Sequence, residues 1–452
     1  PAVAGADDLI DVNYSVEEQL SGSLNFNVGY AGGSGFIVGT SISQNNFLGT
    51  GNRMSLALQK NSTVQSYNFS FHDPYYTIDG VSRGFNFFYR KTDFSNQSFT
   101  SDYQSNTLGG NVTFGYPISN RERLSFTLGA SQTDMFEGTT VPAEISSFIE
   151  EQGDRFREYS LGSSWKWSNL NRGLFPTAGA QQSLSFDLAI PGSDLTYYKL
   201  GYKADYYIPL DLDWSIRFRT ELGYGNGFGD LDQLPFFKNF RAGGVGSVRG
   251  YRTSSLGPQG LPEYNLVDLV ETDSSGNPIF ETDNLGRPII EDGSPTNIYY
   301  QNADGDVIRA VNSAGYAPVY ATASNGSIEQ APAYVESATA LGGNILVEGS
   351  TELIFPFPFI EDRSSLRSVF FLDAGNVFTD QCYKPSDSEA PNFTTHPFCK
   401  EGIDLSKLRL STGVGVTWVT AIGPLTFTYS FPLNEEKDDR TEGFEFSLGQ
   451  VF

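Results

Sequence analysis

The sequence predicts an all-β fold, a sixteen-stranded antiparallel transmembrane β-barrel, on three observations. Apolar and polar residues alternate along most of the 452 residues, which is the period of a strand. The alternating segments are often as long as the roughly nine to eleven residues that a tilted membrane-spanning strand needs. Aromatic residues gather at segment ends, as in Tyr206–Tyr207 and Trp165–Trp167, which is typical of the two membrane interfaces.

The composition fits this class and excludes others. Aromatic residues make up 14% of the chain and charged residues 18%, the latter below the roughly 25% of an average globular domain. No apolar run of about 18 residues occurs, so we predict no transmembrane helix. The net charge of −24 argues against a nucleic-acid partner, because phosphates attract Lys and Arg. The acidic excess indicates either a solvated surface or loops that face divalent cations or polar lipid headgroups.

Eleven alternating segments precede a glycine-rich loop at Gly243–Pro258, and five follow it. The total of sixteen is even, as a closed antiparallel barrel of bacterial type requires, and closure would remove exposed sheet edges. The same period would also occur in a soluble β-sandwich. Segment length and the placement of aromatic residues favour a transmembrane barrel instead. The apolar faces before the loop are Leu24–Tyr30, Phe36–Ile42, Met54–Leu58, Tyr67–Phe71, Phe85–Tyr89, Leu108–Tyr116, Leu124–Leu128, Leu161–Trp167, Leu184–Ile190, Tyr198–Ile208 and Trp214–Tyr224. The predicted strands after it are Asn344–Phe355, Leu366–Val377, Leu408–Trp418, Leu425–Phe431 and Gly443–Phe452.

Two insertions interrupt the strands. Val141–Gln152 predicts a short surface helix, with Ile145, Phe148 and Ile149 at helical spacing. Gly260–Leu341 repeats Asn/Asp/Gly turns before short β-prone segments, which predicts small hairpins outside the membrane. Its Asp spacing does not match an EF-hand loop, so no metal is assigned.

Catalytic chemistry has few candidate residues here. His72 and His396 lie far apart and outside any metal-ligand spacing, and neither a Ser nucleophile elbow nor a phosphate-binding loop is present. We therefore predict no enzyme, no catalytic residue and no cofactor.

Cys382 and Cys399, the two cysteines of the chain, fall in one loop between predicted strands. In an exported protein they should form a disulfide, which would contribute roughly 3 kcal/mol by closing the loop. The alternative is a pair of unrelated thiols.

The glycine-rich loop carries a single charged side chain at its centre, Arg249. If the loop stays outside the barrel, this charge is solvated; if it folds inward, it needs carboxylates on the lumen face. Alternation points Glu348 and Glu352 inward on one strand and Asp373 inward on the next. An unpaired charge in these surroundings would be costly, and a guanidinium could bind such acids through two parallel hydrogen bonds.

Several motifs together resemble the outer-membrane assembly superfamily, over nearly all of Asp7–Phe452. They include the VRGY of the loop followed by LGP, the later TELIFPFP, FFLDAGNVF and IGPLTFTYSFP, and NRGLFPTAG before the loop. The resemblance implies a loop-pinning motif of Val248, Arg249, Gly250 and Tyr251 with acidic partners Glu352 and Asp373. It also implies that residues 1–20 end the last POTRA domain, a periplasmic module, that 21–452 form the barrel and that 243–341 form a long outer loop. The insertion 260–341 departs from the usual loop length of the family.

The resemblance further implies a function, an insertase that folds β-barrel proteins into the outer membrane of a Gram-negative bacterium. Its first and last strands would part at a lateral gate, where Gly449 either weakens pairing or packs beneath a lumen side chain. The implied partners are unfolded outer-membrane proteins, accessory lipoproteins and outer-membrane lipids including lipopolysaccharide. The alternatives are a secretion pore of the two-partner type, a diffusion porin and, less well supported, a soluble adhesin. The implied gate residues are Leu24, Phe26, Val28, Phe446, Leu448, Gly449 and Phe452.

Overall fold

Sixteen antiparallel strands close into a barrel in the computed structural model of the chain, as predicted. In the part of the chain that the structure describes, no helix is both long and apolar enough to cross a membrane. The described residues are 21–31, 35–94, 103–138, 141–211, 214–260, 290–291, 294–295, 298–301, 307–310, 320–322, 328–330, 339–357, 365–384, 399–420, 423–436 and 439–448.

Eleven barrel strands precede the glycine-rich loop and five follow the insertion, again as predicted. The first group is β1 (Gly22–Ala31), β2 (Gly35–Gln44), β3 (Arg53–Lys60), β4 (Val64–Asp73), β5 (Ser82–Asp93), β6 (Tyr103–Ser119), β7 (Glu122–Glu137), β8 (Arg155–Ser168), β9 (Gly179–Ala189), β10 (Tyr197–Pro209) and β11 (Ser215–Gly227). Three small two-stranded sheets lie within the insertion, formed by β12 (Ile290–Glu291) with β13 (Ser294–Pro295), β14 (Ile298–Gln301) with β15 (Val307–Ala310), and β16 (Tyr320–Thr322) with β17 (Ile328–Gln330). The second group is β18 (Ile345–Phe355), β19 (Leu366–Phe378), β20 (Arg409–Thr420), β21 (Gly423–Pro432) and β22 (Phe444–Leu448).

The alternation places bulky apolar side chains on the outer face of the barrel and polar ones in the lumen. Phe26 is 75% exposed on β1 and Phe218 42% exposed on β11, whereas Ser215, on the opposite face of β11, is fully buried. Exposed apolar side chains all around a barrel are what contact with lipid tails demands.

The junction of β22 with β1, here called the seam, closes the barrel with few contacts. Among the described residues, the seam consists of two facing pairs, Tyr30 with Leu448 and Ala31 with Ser447. By contrast, β1 faces β2 along ten residues and β21 faces β22 along five. Among the described residues, the seam is therefore the strand junction with the fewest facing pairs.

A helix packs against the outer end of the barrel. It begins at Ala143 and ends at Gln152 (α1), within the predicted range, but its predicted surface location is wrong for one face. Ile145 is fully buried, and Phe148 packs edge-to-face on Phe236 with ring centroids 5.4 Å apart. The helical period identified the apolar face of α1, but it could not show that side chains of the barrel rim cover it. The buried cluster comprises Tyr103, Met135, Val141, Ile145, Phe156, Leu195, Leu231 and Phe236.

The predicted disulfide between Cys382 and Cys399 is confirmed. It closes part of the loop between β19 and β20. The hydroxyl of Tyr383, next to this bridge, hydrogen-bonds that of Ser147 on α1 at 2.6 Å. The bridged loop and the helix therefore belong to the same outer cap.

Candidate functional site

The glycine-rich loop 243–258 folds into the lumen and packs against the inner barrel wall. Its residues Val248, Tyr251 and Leu256 are almost fully buried, together with Leu346 of β18 and Val377 of β19. At Gly250, where φ is +90°, an added Cβ would lie 3.1 Å from the Cβ of Ser430 and 3.5 Å from that of Ser411. This close approach in the left-handed region explains why glycine occupies the centre of the VRGY motif.

The structure brings Arg249 together with both of its predicted acidic partners. Its Nε and Nη2 donate to the two carboxylate oxygens of Asp373, each at 2.7 Å, and its Nη1 lies 2.9 Å from Glu352 Oε1. Asp373 also accepts from the backbone N–H of Arg249 at 3.1 Å. The Arg249 residue is 9% exposed and Asp373 is fully buried, so this two-pronged contact is shielded from water.

Two further groups complete the environment of Arg249, and the sequence had given no reason to choose either. The Ser350 hydroxyl accepts from Arg249 Nη2 at 3.1 Å and donates to Asp373 Oδ1 at 2.6 Å. The Phe371 ring lies beneath the guanidinium, with its centroid 3.6 Å from Cζ, which is a cation–π contact.

The charges around Glu352 extend the network. Glu352 Oε2 also accepts from Arg217 at 3.2 Å and from Arg367 at 3.3 Å, and Arg217 contacts Asp205 at 2.6 Å. Three arginines therefore face three carboxylates, so the buried cluster is balanced in charge. Arg217 sits directly opposite Glu352 in the pairing of β11 with β18, a register that alternation alone does not supply.

Glu348 points inward as predicted but contacts a different residue. It lies nearer the outer end of β18 than Glu352, and its carboxylate accepts from the Ser247 hydroxyl. Ser247 also receives a hydrogen bond on its carbonyl from Arg219, at 2.8 Å. The loop is thus held at two depths, at Ser247 and at Arg249.

The loop also pairs through its backbone with the segment just before β22. The N–H of Glu442 donates to the Gly250 carbonyl at 2.9 Å, and that of Arg252 to the Arg440 carbonyl at 2.8 Å. Between them, Tyr251 and Thr441 form an antiparallel bridge. The VRGY segment therefore acts as a short extra strand. It connects β18 and β19 to residues 440–442, which lead into β22.

Charged side chains at and just before the start of β20 hold the same segment at the outer end. Arg409 lies 2.6 Å from Asp439 and 3.1 Å from Glu436, and Lys407 lies 2.7 Å from Glu436. The hydrogen bond from Lys407, aided by the nearby Arg409, lowers the pKa of Glu436 below its usual value. The residues that precede β22 are thus bound to the start of β20 as well as to the loop.

The predicted gate residues separate into three groups. Phe446 and Leu448 reach the outer end of β1, where Phe446 stacks on Tyr30 at 6.1 Å, a contact that the sequence did not single out. Leu24, Phe26 and Val28 face outward and pair with β2; within the described ranges they have no partner on β22. Gly449 and Phe452 lie outside the described residues, as does the predicted POTRA tail 1–20.

The described residues contain no group of three or more His, Cys, Asp or Glu side chains that could hold a metal ion. The site is an arrangement of strands, buried ion pairs and backbone hydrogen bonds.

Comparison with known proteins agrees with this geometry. Residues 46–452 match the model of the Omp85 superfamily domain. The chain is 27% identical over 464 aligned residues to the outer membrane protein assembly factor BamA of Neisseria meningitidis, covering all of this chain and 49% of that protein. A crystal structure of BamA from Haemophilus ducreyi lacking POTRA domains 1–3 is 29% identical, with a TM-score of 0.72 over 99% of this chain and 73% of that chain.

A more distant structure, CdiB from Escherichia coli, shares the fold at 11% identity and a TM-score of 0.50, over 96% of this chain and 63% of that one. The chain spans about half the length of the curated relatives it matches. The predicted location in the outer membrane of a Gram-negative bacterium is confirmed. With a matched domain that covers most of its length and a barrel of the same architecture, the chain belongs to the Omp85 superfamily.

Proposed function

We propose that this chain is the membrane part of an insertase that folds β-barrel proteins into the outer membrane. The observation that carries the proposal is the seam, where the described parts of β1 and β22 share two facing pairs in an otherwise extensively paired barrel. Of the strand junctions between described residues, this one has the fewest facing pairs to break, so we place the sideways opening there.

An opened seam would expose the backbone N–H and C=O groups of β1 to an incoming chain. A client strand could then pair with this edge by β-augmentation, while Leu24, Phe26 and Val28 continue an apolar outer face toward the lipid. The driving free energy comes from backbone hydrogen bonds and from burial of the client's apolar face in the bilayer. Neither a nucleotide nor a catalytic residue is required, so the function is not enzymatic.

The Arg249 network has a supporting part in this proposal. By fixing the VRGY segment to Glu352 and Asp373, it keeps the loop in the lumen and holds the approach to β22 through residues 250–252. The proposed partners are unfolded outer-membrane proteins, accessory lipoproteins and outer-membrane lipids including lipopolysaccharide. Residues 1–20 are proposed as the end of a POTRA domain.

Locking the seam tests the proposal. Cysteines at Tyr30 and Leu448, which face each other, should form a disulfide across the seam. We expect the oxidised Tyr30→Cys/Leu448→Cys variant to lose insertion of a barrel client into liposomes, and to regain it on reduction.

A matched lock at a different strand junction is the control. Leu24→Cys/Ile42→Cys joins β1 to β2 at facing residues and leaves the seam free. The parent chain treated with the same reductant accounts for loss of the native Cys382–Cys399 bridge. Full insertion with the seam oxidised would refute the gate and favour passage of a substrate through the lumen, as in a secretion pore.

A further inference from the structure

We propose that the turn between β8 and β9 supports the glycine-rich loop from the opposite end of the lumen, and that Leu170 and Phe175 in this turn are positioning residues for Arg249. The turn, residues 169–178, is here called the inner turn. It carries most of the NRGLFPTAG motif, to which neither the loop-pinning network nor the gate gives a part. The proposal concerns how the loop is held, so it does not rest on the insertase function.

The inner turn folds across the lumen at the end opposite α1. Helix α1 precedes β8 at the outer end, so the turn that follows β8 is at the inner end. Leu170 packs against a buried apolar cluster of β10, β18 and β19, although β10 and β11 separate β9 from β18 in the sheet. The turn therefore reaches inward, toward the far wall. The cluster comprises Tyr207, Ile354, Val369 and Phe371.

Phe175 is held in an unusual backbone conformation. Its φ of +50° lies in the left-handed region, which bulky residues rarely adopt. Arg172 Nε donates to the Phe175 carbonyl at 2.5 Å, and Asn171 Nδ2 donates to Thr177 Oγ1 at 2.9 Å. The Phe175 ring then lies beside Arg367, with its centroid 6.0 Å from Cζ. Such a conformation persists only where the surroundings favour it, which points to a role for the ring.

The first link from the inner turn to the loop is Phe371. This side chain belongs to the cluster that Leu170 covers and is 3% exposed. The Arg249 guanidinium lies over its ring, with Cζ 3.6 Å from the centroid. Without Leu170 the cluster is underpacked, so the ring can move away from the guanidinium.

The second link is Arg367, beside Phe175. Arg367 Nη2 donates to Glu352 Oε2 at 3.3 Å, and the other oxygen of Glu352 binds Arg249 Nη1 at 2.9 Å. The Phe175 ring thus helps to fix the arginine that orients one acidic partner of Arg249. The two links, one aromatic and one charged, start from different residues of the inner turn and end at the same guanidinium.

A cavity of about 240 Å³ lies between the inner turn and the loop. Its lining includes Gly173, Phe175 and Pro176 of the turn and Val245 and Gly246 of the loop. The cavity leaves the loop room to move when its support is removed. Deleting either positioning side chain should therefore loosen the loop, while the pairing of the barrel strands stays intact.

Amide hydrogen exchange of the loop tests the proposal without any client protein. In the full chain in lipid nanodiscs, peptides that cover residues 244–252 report loop docking, because the amides of Arg249 and Arg252 donate to groups outside the loop. Leu170→Ala and Phe175→Gly should each speed their exchange by roughly tenfold, while β6 and β7 keep the parent rates. Glycine takes the left-handed conformation without strain, so Phe175→Gly removes the ring and leaves the backbone in place.

Leu48→Gly is the matched control. Leu48 also lies in a turn at the inner end, with a φ of +51°, but its side chain is 82% exposed. This variant relieves the same kind of backbone strain and removes a large apolar side chain, yet loop exchange should stay at the parent rate. Phe175→Tyr keeps the ring beside Arg367 and should also retain that rate.

A double-mutant cycle identifies the link through the aromatic ring. Phe371→Leu removes the ring beneath Arg249 and should itself speed loop exchange. In this background Leu170→Ala should add little, because its effect passes through that ring. Fully additive effects would contradict the link.

Unchanged loop exchange in both Leu170→Ala and Phe175→Gly would overturn the proposal, and if one of the two variants does not fold, the other decides. The same acceleration in Leu48→Gly, or throughout β6 and β7, would also overturn it, because the effect would then be general loosening. Since the readout is loop docking and not insertion, a failure here leaves the insertase proposal standing.

Discussion

At the scale of single residues, Arg249 is the centre of the site because it neutralises the buried carboxylate of Asp373. Asp373 has no exposed surface, and Arg249 provides the one salt bridge recorded for it among the described residues. Glu352 depends less on Arg249 for neutralisation, since Arg217 and Arg367 also contact it. Deleting one partner of a buried pair typically costs about 3–5 kcal/mol, because the remaining charge is left in a low-dielectric site.

We therefore expect Arg249→Ala to destabilise the barrel by about 3–5 kcal/mol. The measurement is the temperature at which the folded band converts to the unfolded one on a semi-native gel. The control is Arg155→Ala, whose partner Asp134 lies 2.5 Å away but whose own side chain is 63% exposed. That exposed pair is screened by water and should contribute little to the stability of the barrel. Replacing Asp373 by Asn in the Arg249→Ala background should recover part of the loss, and equal losses for the two arginine variants would contradict this account.

These residues also show how much of the site the sequence could reveal. Alternation along two strands was enough to place Glu352 and Asp373 on the lumen face, because a strand has only two faces. It could not choose between Glu348 and Glu352 as the partner of Arg249, since that depends on how deeply the loop descends. It could not find Ser350 or Arg217 either, because their contacts follow from strand register and loop position.

At the scale of elements, strand pairing is distributed very unevenly around the barrel. β6 and β7 face each other along sixteen residues, whereas the described seam has two facing pairs. The count and order of strands could be predicted because most barrel strands are long and amphipathic. The exposure of α1 could not, because its apolar face is covered by residues distant in sequence, such as Tyr103 and Phe236.

This asymmetry predicts the order of amide hydrogen exchange. Amides of β22 and of the outer end of β1 should exchange first, because few hydrogen bonds must break to open them. Amides in the middle of β6 and β7 should exchange last among the barrel strands. Mass spectrometry of peptic fragments from the barrel in detergent measures both sets in one sample. Equal protection of β22 and β7 would contradict the weak seam.

At the scale of the whole molecule, the number of strands predicts an open aqueous channel, whereas the contents of the lumen predict an obstructed one. A sixteen-stranded barrel is wide enough for an aqueous channel, as in porins. Here the glycine-rich loop packs inside the lumen, and α1 with its apolar cluster packs at the outer end. The cavity beside Arg249 and Arg217 has a volume of about 240 Å³, and one beside α1 and the Cys382–Cys399 bridge about 440 Å³. The sequence predicted the barrel and the inward loop, but the closure depends on contacts between insertions that no strand period encodes.

The loop and helix packed inside the barrel predict low conductance, which separates this chain from a diffusion porin. In a planar lipid bilayer, the purified barrel should conduct far less than a porin of the same strand number. Ile145→Asp would place a charge at a fully buried position of the cap, so the cap should loosen and the conductance should rise. Glu150→Ala alters an exposed residue of the same helix and should leave the conductance unchanged. A parent conductance equal to that of a sixteen-stranded porin would mean that neither the loop nor the cap blocks the lumen, since ions can bypass both only if a continuous aqueous path remains.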